Sequence, residues 1–395
     1  QHGYPLGVVL GVALVVSVVG SSVALALARL TRFRPGAVWP VLIVLSAMPI
    51  AMFYLKVGPA ELEYAQLVDH VESNEMIFSM RWREDWLAEH PEASRLAAAD
   101  LRKDIRASLL QRSNRMTREC EAFLERHPEG PRSPEVSWVL GQCASIRLDE
   151  VGYRHGAIRS STSYVLPVSK RVWQRLVMDY PTSPQAGLAM WHLAELSLRE
   201  GEIRRGYGQL LKARNRLDKA LVDMPVTPER YEQTFIEPDM MPGRVVYAAA
   251  LQAVHERLWL IEWKNLVNDS AGGEAFAAYL NVAPGDAMAA VYYSQLAEQY
   301  ADTVMGQNLL LAAVLREPDR AERAAKLLPL AEQSEATDVS VAAAWELGLI
   351  RLQGPAEQHS PETYLRSSQS VPNNPWASRA ARQLEWLKFA REVQP

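Results

Sequence analysis

Apolar residues recur with a helical period along most of this chain, and short clusters of proline, serine and asparagine interrupt that period several times. In residues 173–198 one apolar face ends at Tyr180. Pro181 and Pro184 then prevent the helix from continuing, and a helical period resumes at Leu188. This stretch predicts one helix, a short turn and a second helix.

The same pattern of helix, breaker and helix recurs at four other places: residues 123–146, 296–315, 330–350 and 364–387. Two of these copies mark the second helix with Trp-Val-Leu-Gly, ending at Gly141, and Trp-Glu-Leu-Gly, ending at Gly348. The last copy ends on Leu-Glu-Trp-Leu at residues 384–387. The small residue that ends each of these four-residue motifs allows two antiparallel helices to pack closely. The sequence therefore predicts a repeated helix pair.

This unit resembles the tetratricopeptide repeat, particularly the divergent form in bacterial cell-envelope proteins. In that form one helix ends in a Tyr-Pro-x-Ser-Pro-x-Ala-like turn, and the next opens with an aromatic residue, leucine and small residues. The resemblance extends from Met116 to Lys388, with interruptions. It implies an α-solenoid of antiparallel helix pairs and a role in protein assembly or quality control in the envelope. An all-α bundle with turns that are similar by chance is the alternative.

The first 55 residues differ from the rest because they contain two uncharged apolar runs, residues 5–28 and 35–55. A helix rising about 1.5 Å per residue could cross a hydrocarbon core of roughly 30 Å with either run. The runs therefore predict a transmembrane hairpin, with a cleaved signal peptide as the alternative for the first. Gly3, Gly7 and Gly11 place small residues on one face of the first span, where another helix could approach closely.

The positions of the arginines predict an orientation for this hairpin. Arg29, Arg32 and Arg34 lie between the two runs, and no lysine or arginine precedes the first. Under the positive-inside rule the connection faces the cytoplasm. The prediction is a bacterial inner-membrane protein with two spans and with a periplasmic N-terminus and a large periplasmic C-terminal part. Its three regions would be a hairpin (1–55), connecting long helices (56–115) and a helical-repeat domain (116–395).

Two segments that lack helical periodicity interrupt the repeats, residues 152–167 and the proline-rich residues 224–243. Long loops in a compact helical array are usually either functional or mobile. Exposed aromatic, methionine and arginine side chains in such loops are candidate partner contacts, with a mobile linker as the alternative. The candidates are Tyr153, Arg154, Tyr164, Tyr231, Phe235, Met240 and Met241.

Composition and motifs give little indication of catalysis. The chain has a net charge of −4 and no basic stripe, which argues against a nucleic-acid partner. Its eight histidines include no pair three or four residues apart that could share a metal on one helix face. Neither a glycine-rich phosphate loop nor a nucleophile elbow occurs. We therefore expect no catalytic residues, no cofactor and no metal, and a protein that is not an enzyme.

The two cysteines, Cys120 and Cys143, lie on opposite sides of the predicted turn near Gly130. Both are on apolar faces, and in two antiparallel helices they would stand at nearly the same height. Helix axes pack about 8–10 Å apart, whereas a disulfide requires Cα atoms within about 7 Å. A disulfide staple and two buried free thiols are therefore alternatives.

Together these features predict a membrane-anchored periplasmic helical-repeat scaffold or accessory subunit. Its partners would be other membrane or periplasmic proteins, which it would bind and stabilise within an inner-membrane complex. A dedicated structural subunit of a respiratory, photosynthetic, secretion or transport machine is the second hypothesis. An enzyme or ligand-binding protein with a pocket in its concave face is the third.

Overall fold

The computed structural model describes residues 58–71, 90–91, 98–144, 170–224, 243–282, 288–352, 361–371 and 373–393. In these ranges all extended regular elements are helices, and no β-strand occurs. The prediction of an all-α chain is confirmed for this part of the protein.

The helices are numbered here in chain order. They are α1 (residues 58–71), α2 (Ala98–Arg126), α3 (Ser133–Ala144), α4 (residues 170–179), α5 (Pro184–Arg199), α6 (Ile203–Asp223), α7 (Arg244–Trp263), α8 (Ser270–Asn281), α9 (Ala289–Gln299), α10 (Gly306–Leu315), α11 (Arg320–Ala331), α12 (Asp338–Leu352), α13 (Pro361–Ser367) and α14 (Ala377–Val393). Neighbours in sequence pack as pairs, most extensively α5 with α6, α9 with α10, and α11 with α12.

All five predicted breakers lie between two helices, so the helix-breaker-helix prediction is confirmed. Ser183 caps α5, because its hydroxyl accepts the Ala186 N–H at 3.3 Å. The Ser183 N–H donates to the Tyr180 carbonyl at 3.1 Å. In the turn between α9 and α10, the Thr303 N–H donates to the Tyr300 carbonyl at 3.0 Å. The two turns therefore share one hydrogen-bond pattern.

Glycines in the second helix of a unit lie where the first helix of the next unit approaches. A Cβ added at Gly141 in α3 would stand 2.3 Å from the ring of Trp173 in α4. A Cβ at Gly348 in α12 would stand 2.8 Å from the side chain of Leu365 in α13. Neither position has room for a side chain, because helix packing is already at contact distance there. The glycines of the two Trp-x-Leu-Gly motifs thus lie at contacts between one helix pair and the next.

The mark in the last unit is out of register with the others. Trp345 lies seven residues into α12 and is buried, at 9% exposure. Leu384 occupies the same step of α14 and packs against the core. Trp386, the tryptophan of the Leu-Glu-Trp-Leu motif, is 59% exposed. The apolar stripe of α14 is therefore completed by leucine, and the tryptophan faces outward.

The buried side chains form overlapping clusters along the chain. One cluster extends from α1 through α10. A second joins α10 with α11, α12 and α13, and a third joins α12 and α13 with α14. Because successive helix pairs bury their apolar faces against their neighbours, the architecture is compatible with a helical-repeat fold.

The prediction of a two-span transmembrane fold needs correction. In the described ranges no helix has both the length and the apolar character that crossing a membrane requires. The longest described helix, α2, has 29 residues, but charged side chains recur from one end of it to the other. The two apolar runs and the expected packing residues Gly3, Gly7 and Gly11 lie outside the described residues. The two-span hairpin and the inner-membrane location with a periplasmic C-terminal part are therefore not supported.

Polar contacts at the α2–α3 turn add to the apolar side chains that helix α1 buries in the core. The Arg132 guanidinium lies over the Tyr64 ring at 4.8 Å, and its Nε donates to Glu61 at 3.2 Å. Glu63 pairs with Arg126 at 3.0 Å and lies 3.1 Å from His127. Helix α2 itself continues through residue 115, where a region boundary had been predicted.

Candidate binding surface

The loop residues predicted to contact a partner lie outside the part of the chain that the structure describes. They are Tyr153, Arg154, Tyr164, Tyr231, Phe235, Met240 and Met241. Their role in binding stays a prediction. The described residues offer other surfaces, and helices α7 and α14 carry the two most distinctive.

The two cysteines are free thiols, and both are buried. Burial raises the pKa of Cys143 to about 12. Burial also raises the pKa of Cys120 well above its ordinary value, and the nearby Cys143 adds to that effect. A thiol that resists ionisation is a poor nucleophile and metal ligand. Of the two alternatives, the structure has the buried thiols, which pack as small apolar side chains.

Metal-binding chemistry is not indicated by the geometry. Among the described residues, no group of three or more histidine, cysteine, aspartate and glutamate side chains is placed to hold a metal ion. His192 lies against tryptophan rings, with its centroid 4.5 Å from that of Trp173 and 4.8 Å from that of Trp191. These contacts make His192 a packing residue.

Three tryptophans from two distant segments meet beside α7, and we call them the tryptophan corner: Trp259, Trp263 and Trp376. Trp259 and Trp263 stack with ring centroids 5.6 Å apart and planes at 15°. Trp376 stands nearly perpendicular to Trp259, with centroids 5.7 Å apart and planes at 87°. Trp263 is 45% exposed, so the corner is open to solvent.

The turn before α14 holds Trp376 in place. Asn374 is buried, and its side-chain oxygen accepts the backbone N–H of Trp376 at 2.9 Å and that of Ala377 at 2.8 Å. Its amide nitrogen donates to the Ser368 carbonyl at 3.1 Å. Asn374 therefore caps α14 and fixes the backbone from which Trp376 projects.

The cations near the tryptophan corner are held by carboxylates. On α7, Arg257 Nε donates to Glu195 at 3.0 Å. Just after α7, Lys264 Nζ lies 2.8 Å from Asp338. On α14, Arg379 pairs with Glu256.

One carboxylate near the corner has a neutral partner. Glu262 lies between Trp259 and Trp263 in sequence, it is exposed, and it accepts the Tyr207 hydroxyl at 2.9 Å. This hydrogen bond raises the pKa of Tyr207, with burial as a further cause. The Tyr207 hydroxyl thus stays protonated, and it leaves the negative charge of Glu262 in place.

The second surface is the outer face of α14. Its inner side packs through Ala380, Leu384 and Leu387. Trp386 and Phe389, three residues apart, are 59% and 61% exposed. Large aromatic side chains with this exposure on a packed helix are a recognised feature of interaction surfaces.

Sequence reasoning missed both surfaces for identifiable reasons. The segment 384–389 holds apolar residues at four of six positions, which is more than one buried stripe needs, and this excess could have indicated a second apolar face on α14. No local pattern indicates the tryptophan corner, because its two segments are brought together by tertiary contacts such as Glu256 with Arg379, 123 residues apart.

Comparisons with known proteins assign no family to this chain. No protein-family model matches it, and no curated protein or solved structure does so either. A conclusion about function therefore depends on the exposure, contacts and charges of its own residues.

Proposed function

We propose that this protein is a tetratricopeptide-like helical-repeat scaffold that binds partner proteins. The observation that carries the proposal is the pair Trp386 and Phe389, about three-fifths exposed on a helix whose opposite side is buried. Aromatic side chains of this size are the groups that most often anchor protein interfaces. Water is a poor environment for them, so a partner that covers them gains the free energy of burying apolar area.

The connections between units support the same proposal. The Tyr180 hydroxyl, in the turn between α4 and α5, donates to the Pro128 carbonyl in the turn between α2 and α3 at 2.6 Å. These two turns are thus tied to each other, and helices of neighbouring pairs touch at Gly141 and Gly348. A stack of tied helix pairs presents a long surface of fixed shape, which in repeat proteins serves to hold other proteins.

The proposal is tested by identifying a partner and then removing the α14 anchor. Partners are captured by cross-linking in the native cells, identified by mass spectrometry, purified and titrated calorimetrically with this chain. We expect a stoichiometric complex that the double variant Trp386→Ser, Phe389→Ser weakens at least tenfold while the helical circular dichroism is unchanged. The control is Val222→Ser, which removes another highly exposed apolar side chain, 83% exposed, on α6.

Two results would overturn the proposal. One is the absence of any protein that forms a stoichiometric complex with the purified chain. The other is a complex whose affinity is the same for the native chain, the double variant and the Val222→Ser control.

A further inference from the structure

We propose that the tryptophan corner binds a cationic side chain, lysine or arginine, of a partner protein. The inference rests on the proposed function, since it specifies the chemistry of one contact of the scaffold. It concerns a surface separate from the exposed face of α14 that carries the functional proposal, so the two can be tested independently.

The geometry of the corner suits a cation. Indole faces carry negative potential, and a cation within about 6 Å of the ring centroid is attracted to them. Trp259 and Trp376, at 87° to each other, form two walls, and the stacked Trp263 extends one wall into solvent. The Asn374 cap holds Trp376 in position before any ligand arrives, so little ordering of this wall is required on binding.

Three cations on or beside the two helices of the corner already have carboxylate partners. Arg257, Lys264 and Arg379 are each engaged with a carboxylate on another helix. The partner of Lys264, Asp338, is 1% exposed, so this ammonium is drawn into the interior. Their charges are thus already paired, and the indole that is open to a cation from outside is that of Trp263, which is 45% exposed.

Glu262 gives the corner a negative charge. Residues three apart on a helix are neighbours, so Glu262 lies beside Trp259 on the surface of α7. Its hydrogen-bond donor, the Tyr207 hydroxyl, is neutral, so this bond does not remove the charge. Glu262 would repel an acidic ligand. An apolar ligand would displace water from the carboxylate and offer it no hydrogen bond or positive charge in return. A lysine or arginine satisfies both the carboxylate and the indole faces.

The test uses a synthetic nonapeptide of glycine and serine with three lysines, and a matched peptide with glutamine at those three positions. Binding to the full chain, labelled with ¹⁵N, is followed through the indole Nε1–H signals in NMR spectra. We expect the lysine peptide to shift the signals of Trp259, Trp263 and Trp376 at millimolar concentration, and the glutamine peptide to leave them in place.

Two variants probe the site, and one serves as control. Trp263→Leu and Glu262→Gln each change an exposed side chain, so the fold should be retained, and each should weaken binding of the lysine peptide by about threefold or more. Met178→Ser, which removes an exposed apolar side chain on α4, should bind the peptide as the native chain does.

The inference is overturned if the glutamine peptide binds equally well, or if both corner variants retain native affinity. Its failure is distinguishable from failure of the proposed function. A partner complex that depends on Trp386 and Phe389 but no lysine binding at the corner would refute only this inference. Lysine binding at the corner without any stoichiometric partner protein would support the site and refute the scaffold.

Discussion

The ring of Trp173 lies so close to Gly141 that a Cβ at residue 141 would be 2.3 Å from it. Trp173 is 1% exposed, and its other face stacks on His192 with ring planes only 8° apart. One buried indole thus joins the α2–α3 pair to the α4–α5 pair. We make one prediction for each of the two residues that contact this indole, Gly141 and His192.

Replacing Gly141 with alanine should destabilise the protein by about 1–3 kcal/mol, because the added methyl overlaps the Trp173 ring in a packed interior. This net cost should appear although alanine is intrinsically favoured over glycine in a helix by about 1 kcal/mol. Urea unfolding followed by circular dichroism measures the change. The control is Gly208→Ala, since a Cβ there meets no atom within 4 Å. It should leave stability equal or slightly higher, and a similar gain for Gly141→Ala would show that the contact is loose.

His192 should make stability depend on pH between about 4 and 6.5. Burial, with a further contribution from Arg199, lowers its pKa from the ordinary 6.5 to about 4 in the folded protein. Gln142 Nε2 donates to His192 Nε2 at 3.3 Å, so the folded state uses the neutral ring as an acceptor. As pH falls through 6.5 the unfolded chain takes up a proton that the folded chain does not. The contribution of His192 to the free energy of unfolding is therefore fully present above pH 6.5. It decreases as the pH falls from 6.5 to 4 and does not change further below pH 4.

The measurement is the free energy of unfolding at half-unit steps from pH 4 to pH 7 for the native chain and for His192→Gln. Over the steepest part the native slope should exceed that of the variant by up to about 1.4 kcal/mol per pH unit, the value for one proton. The prediction fails if the two slopes are equal.

Replacing Lys264 with methionine should cost about 3–5 kcal/mol of unfolding free energy, because it leaves the carboxylate of Asp338 buried without its cation. In this variant Asp338 still accepts the hydrogen bond from Asn308 Nδ2 at 2.7 Å, but that amide carries no positive charge. The matched control is Arg175→Met, which breaks a pair with Asp179 that is 3.9 Å long and solvent-exposed on both sides. An exposed pair of this kind contributes at most about 1 kcal/mol. Equal losses in the two variants, measured by chemical unfolding, would refute a special role for Lys264.

The positions of some helix ends follow from the sequence alone. Pro181 and Pro184 cannot take part in a continuing helix, and Ser183 offers a hydroxyl to the first free N–H groups of the next one. This chemistry does not explain every breaker, since the turns at residues 300–305 and 332–337 contain no proline and Pro329 lies inside α11. Gly141 and Gly348 likewise mark, through the absence of a side chain, where another helix comes close. These features depend on residues near each other in the chain, so a sequence pattern can reveal them.

The sequence was less informative where an apolar stretch could be interpreted only by knowing what packs against it. The apolar runs of the first 55 residues were read as membrane spans from local hydropathy, and the described structure gives that assignment no support. The motif at residues 384–387 indicated a helix, but only the structure shows that Leu384 packs on the core while Trp386 is exposed. Helical periodicity shows that a face is apolar, and it leaves open which of two apolar faces the neighbouring helix covers.

The sequence by itself determined the all-helical class, the proline and serine turn at residues 181–184 and the glycines at close helix contacts, because these depend on local sterics and on hydrogen bonds within a few residues. Only the tertiary structure decided that Trp376 meets Trp259, that Arg379 pairs with Glu256 across 123 residues, and that Cys120 and Cys143 stay free thiols. The physical reason is that such contacts depend on the relative placement of whole helices. That placement is fixed by the sum of many packing contacts along the array, and no single stretch of the chain contains it.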